Sequence, residues 1–169
     1  IAINSGLSLD LTLNPDFSQV DVDQQVTNLT TVNIRFPERR LFFLENTDIF
    51  SQFGIPPMRP FFSRRIGLDE DGNVLPIQFG ARLSGNLNND LRIGLMNLQT
   101  GSFDEEPGQN YTSFAFNQRV FGRTLIKGYF NNRQAYENKD FSAINYNRSI
   151  GGEIDFRSQN GALQANAGY

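Results

Sequence analysis

From residue 77 onward, hydrophobic and polar side chains alternate with a period of two, the pattern of half-buried antiparallel strands. In IQFGARLSGN (77–86), Ile77, Phe79, Ala81 and Leu83 are expected on one face, with Gln78, Gly80, Arg82 and Ser84 on the other. LNND (87–90) has turn chemistry, and LRIGLMNLQT (91–100) runs back. After the polar loop 101–110, YTSFAFNQRV (111–120) sets Thr112, Phe114, Phe116 and Val120 against Ser113, Ala115, Asn117 and Arg119. A tight connection at 121–123 leads to TLIKGYFNNR (124–133), where Leu125 and Tyr129 share a face with Lys127. Beyond the loop 134–140, strands are predicted at 141–149, 153–158 and 162–169.

The first half is less regular. Residues 5–13 and 26–36 read as strands, joined by a stretch with a turn-forming Asn14-Pro15. Residues 37–76 form an insert punctuated by Pro37, Pro56, Pro57, Pro60 and Pro76 and crowded with aromatics, with a short helix or packed loop expected at 41–50. A forty-residue insert is too long for a simple hairpin connection. The chain opens on Ile-Ala-Ile-Asn and closes in a strand-like segment, so both ends are expected to be cuts through something longer.

Composition narrows the chemistry. There is no Cys, His or Trp, against 16 Phe and 15 Gly. That excludes disulfides, thiolate nucleophiles, zinc–thiolate sites and imidazole bases within this chain. The net charge of -3 comes with no long basic tract, so nucleic acid is not an expected partner. No apolar run reaches transmembrane-helix length, which leaves membrane strands of about 9 to 11 alternating residues open.

The fold class expected is all-β: an antiparallel transmembrane β-barrel segment, incomplete, with 37–76 as an insert that plugs its lumen. Short connections near 87–90, 121–123 and 149–152 alternate with longer ones at 101–110 and 134–140, as barrel rims require. The short connection at 159–161 breaks that rule. Tyr111, Phe130, Phe141 and Tyr169 near strand ends suit aromatic girdles. A soluble β-sandwich with one solvated face has the same period of two.

A resemblance adds to this reading. NPDFSQVDVDQQVTNLT (14–30), FPERRLFFLENTDIF (36–50), FFSRRIG (61–67), GARLSG (80–85) and GLMNLQTG (94–101) occur in that order. Together they resemble the DUF5916 family of Bacteroidetes-type envelope proteins over roughly residues 8–101. Members commonly carry an N-terminal module resembling a family 9 carbohydrate-binding domain, followed by a β-rich barrel region of the outer membrane. The resemblance therefore implies a bacterial outer-membrane location and the start of a barrel region without that module. It supplies no catalytic residue to carry over. The function expected is a pore, transporter or envelope-assembly subunit. The alternatives are a carbohydrate-binding or carbohydrate-processing envelope protein and a soluble structural β-sandwich. Expected partners are outer-membrane lipid, other envelope proteins, and carbohydrate held by a domain outside this chain.

The richest side-chain constellation is Glu38, Arg39, Arg40, Glu45 and Asp48 with Arg64 and Arg65, set between Phe36, Phe42, Phe43, Phe50, Phe53, Phe61 and Phe62. In a plug, Arg–carboxylate pairs would satisfy charges that the aromatics bury. Arg82, Arg119, Glu153, Asp155 and Arg157 are expected to face the lumen. Asn14, Asp16, Asp21 and Asp23 are oxygen-rich without an EF-hand spacing, and LDEDGN (68–73) reads first as a turn with a weak cation site as the alternative. Glu105 with Glu106, and Glu153 with Asp155, are the carboxylate pairs available for glycoside hydrolysis, which needs two groups roughly 5 to 9 Å apart. The first pair lies in a polar loop and the second shares a strand face, so neither marks an active site. No cofactor is expected, and catalysis is the less favoured role.

Overall fold

The computed structural model describes residues 1–2, 6–15, 38–54, 59–68, 75–103, 106–137 and 140–169. Its strands are β1 (Leu7–Leu13), β2 (Ile77–Asn86), β3 (Leu91–Thr100), β4 (Gly108–Val120), β5 (Thr124–Glu137), β6 (Asp140–Arg157) and β7 (Gln164–Gly168). Each pairs antiparallel with its successor, giving one seven-stranded sheet in chain order among the described residues. The hairpins follow from local chemistry. Between β2 and β3, Asn88 Oδ1 accepts from the N–H groups of Asp90 and Leu91, closing an Asx turn. Between β4 and β5, Phe121 and Gly122 adopt φ of 50° and 79°, so the turn uses the left-handed region twice.

The edges of this sheet are β1 and β7, and they do not pair with each other. The sheet is open, which corrects the expected transmembrane barrel and the lumen that the insert was to plug. Alternation reports that a strand has two unlike faces; it carries no information on whether first and last strands meet. The outer-membrane placement expected from the resemblance is corrected as well, since no closed barrel is present among the described residues. No helix among the described residues is long and apolar enough to cross a membrane.

Two further expectations change. The strands expected at 141–149 and 153–158 are one 18-residue strand, β6. Gly151 and Gly152 look like a turn in sequence. In the sheet, however, Gly151 lies opposite Tyr129, and a Cβ there would come within 2.7 Å of the Tyr129 ring. The glycine makes room for an aromatic neighbour. Ile77 was expected beside Phe79, but a register irregularity between them turns Ile77 into the core while Phe79 points outward, 46% exposed. The strand expected at 26–36 lies outside the described residues.

The core lies on the face that carries the polar alternation. Two four-residue helices, α1 (Leu41–Leu44) and α2 (Asp48–Ser51), precede a 3₁₀ turn at Ser63–Arg65. Helices this short do not hold themselves together in water, so packing must hold them. Phe43, Ile49, Phe50, Phe53 and Ile66 bury against Ile77, Met96, Leu98 and Ala115. Gly94 lets α2 approach: a Cβ there would lie 2.7 Å from both Ile49 Cγ2 and the tip of the Phe50 ring. The opposite face shows Leu11, Phe79, Leu95, Phe114, Ile150 and Ile154 to the exterior, with Ile150 78% exposed. Among the described residues one sheet, covered on one face, stands in place of the expected barrel.

Candidate functional site

The insert is riveted to the sheet by charge. Arg82, 2% exposed, lies opposite Asp10 and donates from Nη2 to Asp10 Oδ2 at 2.7 Å. Its Nη1 donates to the carbonyls of Phe42 and Glu45, and its Nη2 reaches Glu45 Oε2 at 3.4 Å. Arg92 makes a two-pronged pair with Asp48 at the start of α2 and also donates to Asn46 Oδ1. The Arg92 hydrogen bond, opposed by partial burial, holds Asp48 below the usual carboxylate range. Glu38 and Arg40 pair at 2.9 Å, and Arg40 caps the 3₁₀ turn by donating to the carbonyls of Ser63 and Ile66, each at 2.7 Å. Burial would raise the Glu38 carboxyl, but the hydrogen bonds and charge of Arg40 outweigh it and hold it low.

A second charged group lies across β5 and β6. Lys127 Nζ bridges Glu153 at 2.6 Å and Asp155 at 2.9 Å, and Glu153 Oε1 also accepts from the Gly54 N–H at the end of the helical segment. Burial opposes charging of Lys127, but its two carboxylate partners prevail and raise it above the ordinary lysine value. Asp155 is pushed up by burial and pulled further down by Lys127 and Asn166.

The residues singled out from the sequence therefore divide. Glu45 and Asp48 meet the sheet arginines, Glu38 and Arg40 tie the insert to itself, and Arg64 and Arg65 sit in the 3₁₀ turn. Arg39 is exposed, with its backbone N–H on Glu38. Arg119 and Arg157 lie exposed on β4 and β6, with no lumen for them to face. Asp16, Asp21, Asp23, Glu105 and residues 69–73 lie outside the described residues. Among the described residues, no cluster of three or more carboxylates could hold a metal.

One cavity remains whose lining is not consumed by these contacts. It is a trough of about 770 Å³ between the 59–68 segment and the inner face of β4–β6. That lies within the roughly 300–1,000 Å³ of ligand clefts. Its floor is a cross-strand ladder, in which Ser113 Oγ donates to Asn131 Oδ1 at 2.6 Å and Asn131 Nδ2 donates to Ser149 Oγ at 3.4 Å. Phe61 and Phe62 border it, and Phe61 is braced on Phe50 with ring centroids 5.7 Å apart. Gln109, 7% exposed, lines it with a buried Oε1 that has no hydrogen-bond partner. Tyr111 sits opposite Arg133, and burial raises its phenol above the ordinary value against the opposing charges of Arg133 and Arg65. The sequence reading missed Gln109, Asn131, Arg133 and Asn147. Their odd numbering on three successive strands was visible, but not the register that aligns them.

A smaller cavity of about 390 Å³ lies near Gly6, Asn46 and Arg92. Asn46 donates to Ser84 Oγ and Arg92 holds Asp48, so its polar groups already serve the insert.

The fold and its trough define a class first: an open antiparallel sheet with one face covered by a helical insert. A family model described as Domain of unknown function (DUF5916) matches residues 2–104, more than half the chain. The chain belongs to that family. The match brings no carbohydrate-binding module with it, and the open sheet corrects the likeness to a barrel region. The open sheet likewise corrects the pore, transporter and assembly-subunit reading, which was drawn for a barrel. No curated protein and no solved structure matches the chain.

Proposed function

We propose that this chain is a glycan-binding module, with the trough over β4–β6 as its site, and that it binds without cleaving. The observation that carries the reading is Gln109, a residue lining the cleft whose buried Oε1 has no hydrogen-bond partner. Buried acceptors are normally satisfied, and an exception calls for a missing partner. A sugar hydroxyl supplies such a donor once the Gln109 amide turns into the trough. Around it stand Asn145, Asn147 and Arg133, whose side chains have no partner among the described residues, and the Phe61 and Phe62 rings offer an apolar wall for a pyranose C–H face. Amides and guanidinium groups beside an aromatic wall match the mixed surface of a saccharide.

Binding without cleavage is favoured because, among the described residues, Glu106 is the single carboxylate lining the trough, where glycoside cleavage needs two. Glu153 and Asp155 share Lys127, and Asp155 is held low where a general acid needs a raised value.

A glycan array probed with the wild type, Gln109→Leu and Asn147→Ala tests the reading. Retention of saccharides by the wild type is expected, with each variant about three- to tenfold weaker, the range of a lost neutral hydrogen bond. Absence of retention across the array, or variants that bind as the wild type does, overturns it.

A further inference from the structure

The trough carries a charge bias that a neutral sugar would not use. Arg59, Arg65 and Arg133 line it, against Glu106 as the one lining acid among the described residues. None of the three arginines has a carboxylate partner among those residues, whereas Arg40, Arg82 and Arg92 in the same fold are each paired. Arg133 projects from β5 opposite Tyr111, Arg65 comes from the 3₁₀ turn across the cleft, and both bear electrostatically on the Tyr111 hydroxyl. Guanidinium groups left open in a cleft are suited to planar, two-pronged capture of a carboxylate or sulfate.

We infer that the ligand is an acidic glycan, its carboxylate or sulfate gripped between Arg65 and Arg133 while a neighbouring hydroxyl donates to Gln109. This deepens the glycan-binding reading and rests on it. Free phosphate or sulfate would satisfy the arginines but would forgo the aromatic wall and the sugar hydroxyls, so an oligosaccharide should bind more tightly than either ion.

Calorimetric titration of the protein with an oligogalacturonate, a sulfated oligosaccharide, a neutral cello-oligosaccharide and inorganic phosphate separates the outcomes. Expected are binding of at least one acidic oligosaccharide about tenfold or more above the neutral one, and weakening with added salt. Arg65→Gln and Arg133→Gln should each lose about tenfold for the acidic ligand, the scale of a charge-assisted hydrogen bond, and Arg65→Gln should leave neutral binding within about threefold. Both residues are exposed, so the variants should keep the wild-type melting temperature. Equal binding of acidic and neutral sugars overturns this inference and leaves the glycan reading standing. Binding of phosphate as tight as that of the oligosaccharides overturns it too, and failure of every saccharide overturns both.

Discussion

Arg82 on β2 and Asp10 on β1 face each other across the sheet, 2.7 Å apart, with the arginine side chain 3% exposed. The same guanidinium holds the carbonyls of Phe42 and Glu45, so one side chain joins the sheet edge to the helical cover. Arg82→Ala would leave two carbonyls and a carboxylate without their donor. The expected loss is about 3–5 kcal/mol. Urea unfolding should show the midpoint falling at nearly unchanged slope, and Arg82→Lys should recover only part because lysine lacks the planar fork.

The face that carries the core is the one with more polar positions, and paired substitutions test this. Leu98, fully buried under the insert, should cost about 2–5 kcal/mol when cut to alanine. Ile150→Ser on the outward face should shift stability by about 0.5 kcal/mol or less. A reversal of that order in thermal melts would mean that the outward face is packed and the insert is not.

Much of the sheet was legible because period-two alternation is a local property. The strand 91–100 coincides with β3, and 111–120 and 124–133 lie inside β4 and β5. What alternation lacks is the identity of the covering layer. Ser84, Arg82 and Ser113 fall on the polar side of the alternation, yet all three are buried because the insert brings its own phenylalanines and its own hydrogen-bonding carbonyls. Gly151 misread as a turn for a related reason, since the ring it accommodates is on another strand. The charges of the insert looked like one cluster in sequence. They separate because Arg82, Arg92 and the Ser63–Ile66 turn attract them to different places. The trough depends on register among three strands and could not be read from any one of them.

Gly94 is the contact point for α2, and Gly94→Ala should push Ile49 and Phe50 outward. Overpacking of this kind costs about 1–3 kcal/mol. The associated signature is faster backbone hydrogen exchange over 48–51, with β6 and β7 unchanged. Unaltered exchange in α2 would remove the close approach as the reason for glycine there.

The charged pairs give stability a two-sided pH dependence. Glu38, Asp48 and Asp155 are held below their ordinary values in the folded chain, so their contribution is complete above the ordinary carboxylate range. It is lost as pH falls through the depressed folded values. Lys127 is raised, so its contribution is complete below the ordinary lysine range and is lost as pH climbs through the raised folded value. Melting temperatures should form a plateau between these limits. Lys127→Met should lie below the wild type on the plateau and converge with it in acid, where Asp155 is protonated and no longer needs the cation. A constant gap across the whole range would show that Lys127 acts through packing alone.

Hydrogen exchange resolved by peptide, with and without an acidic oligosaccharide, addresses the central claim most directly, because it reports where a ligand sits. Slower exchange is predicted over 108–113, 131–134 and 145–149, together with 59–66, while β1 and β2 stay unchanged. Protection confined to β1 and β2, or no protection at saturating oligosaccharide, would contradict the assignment of the trough as the binding site.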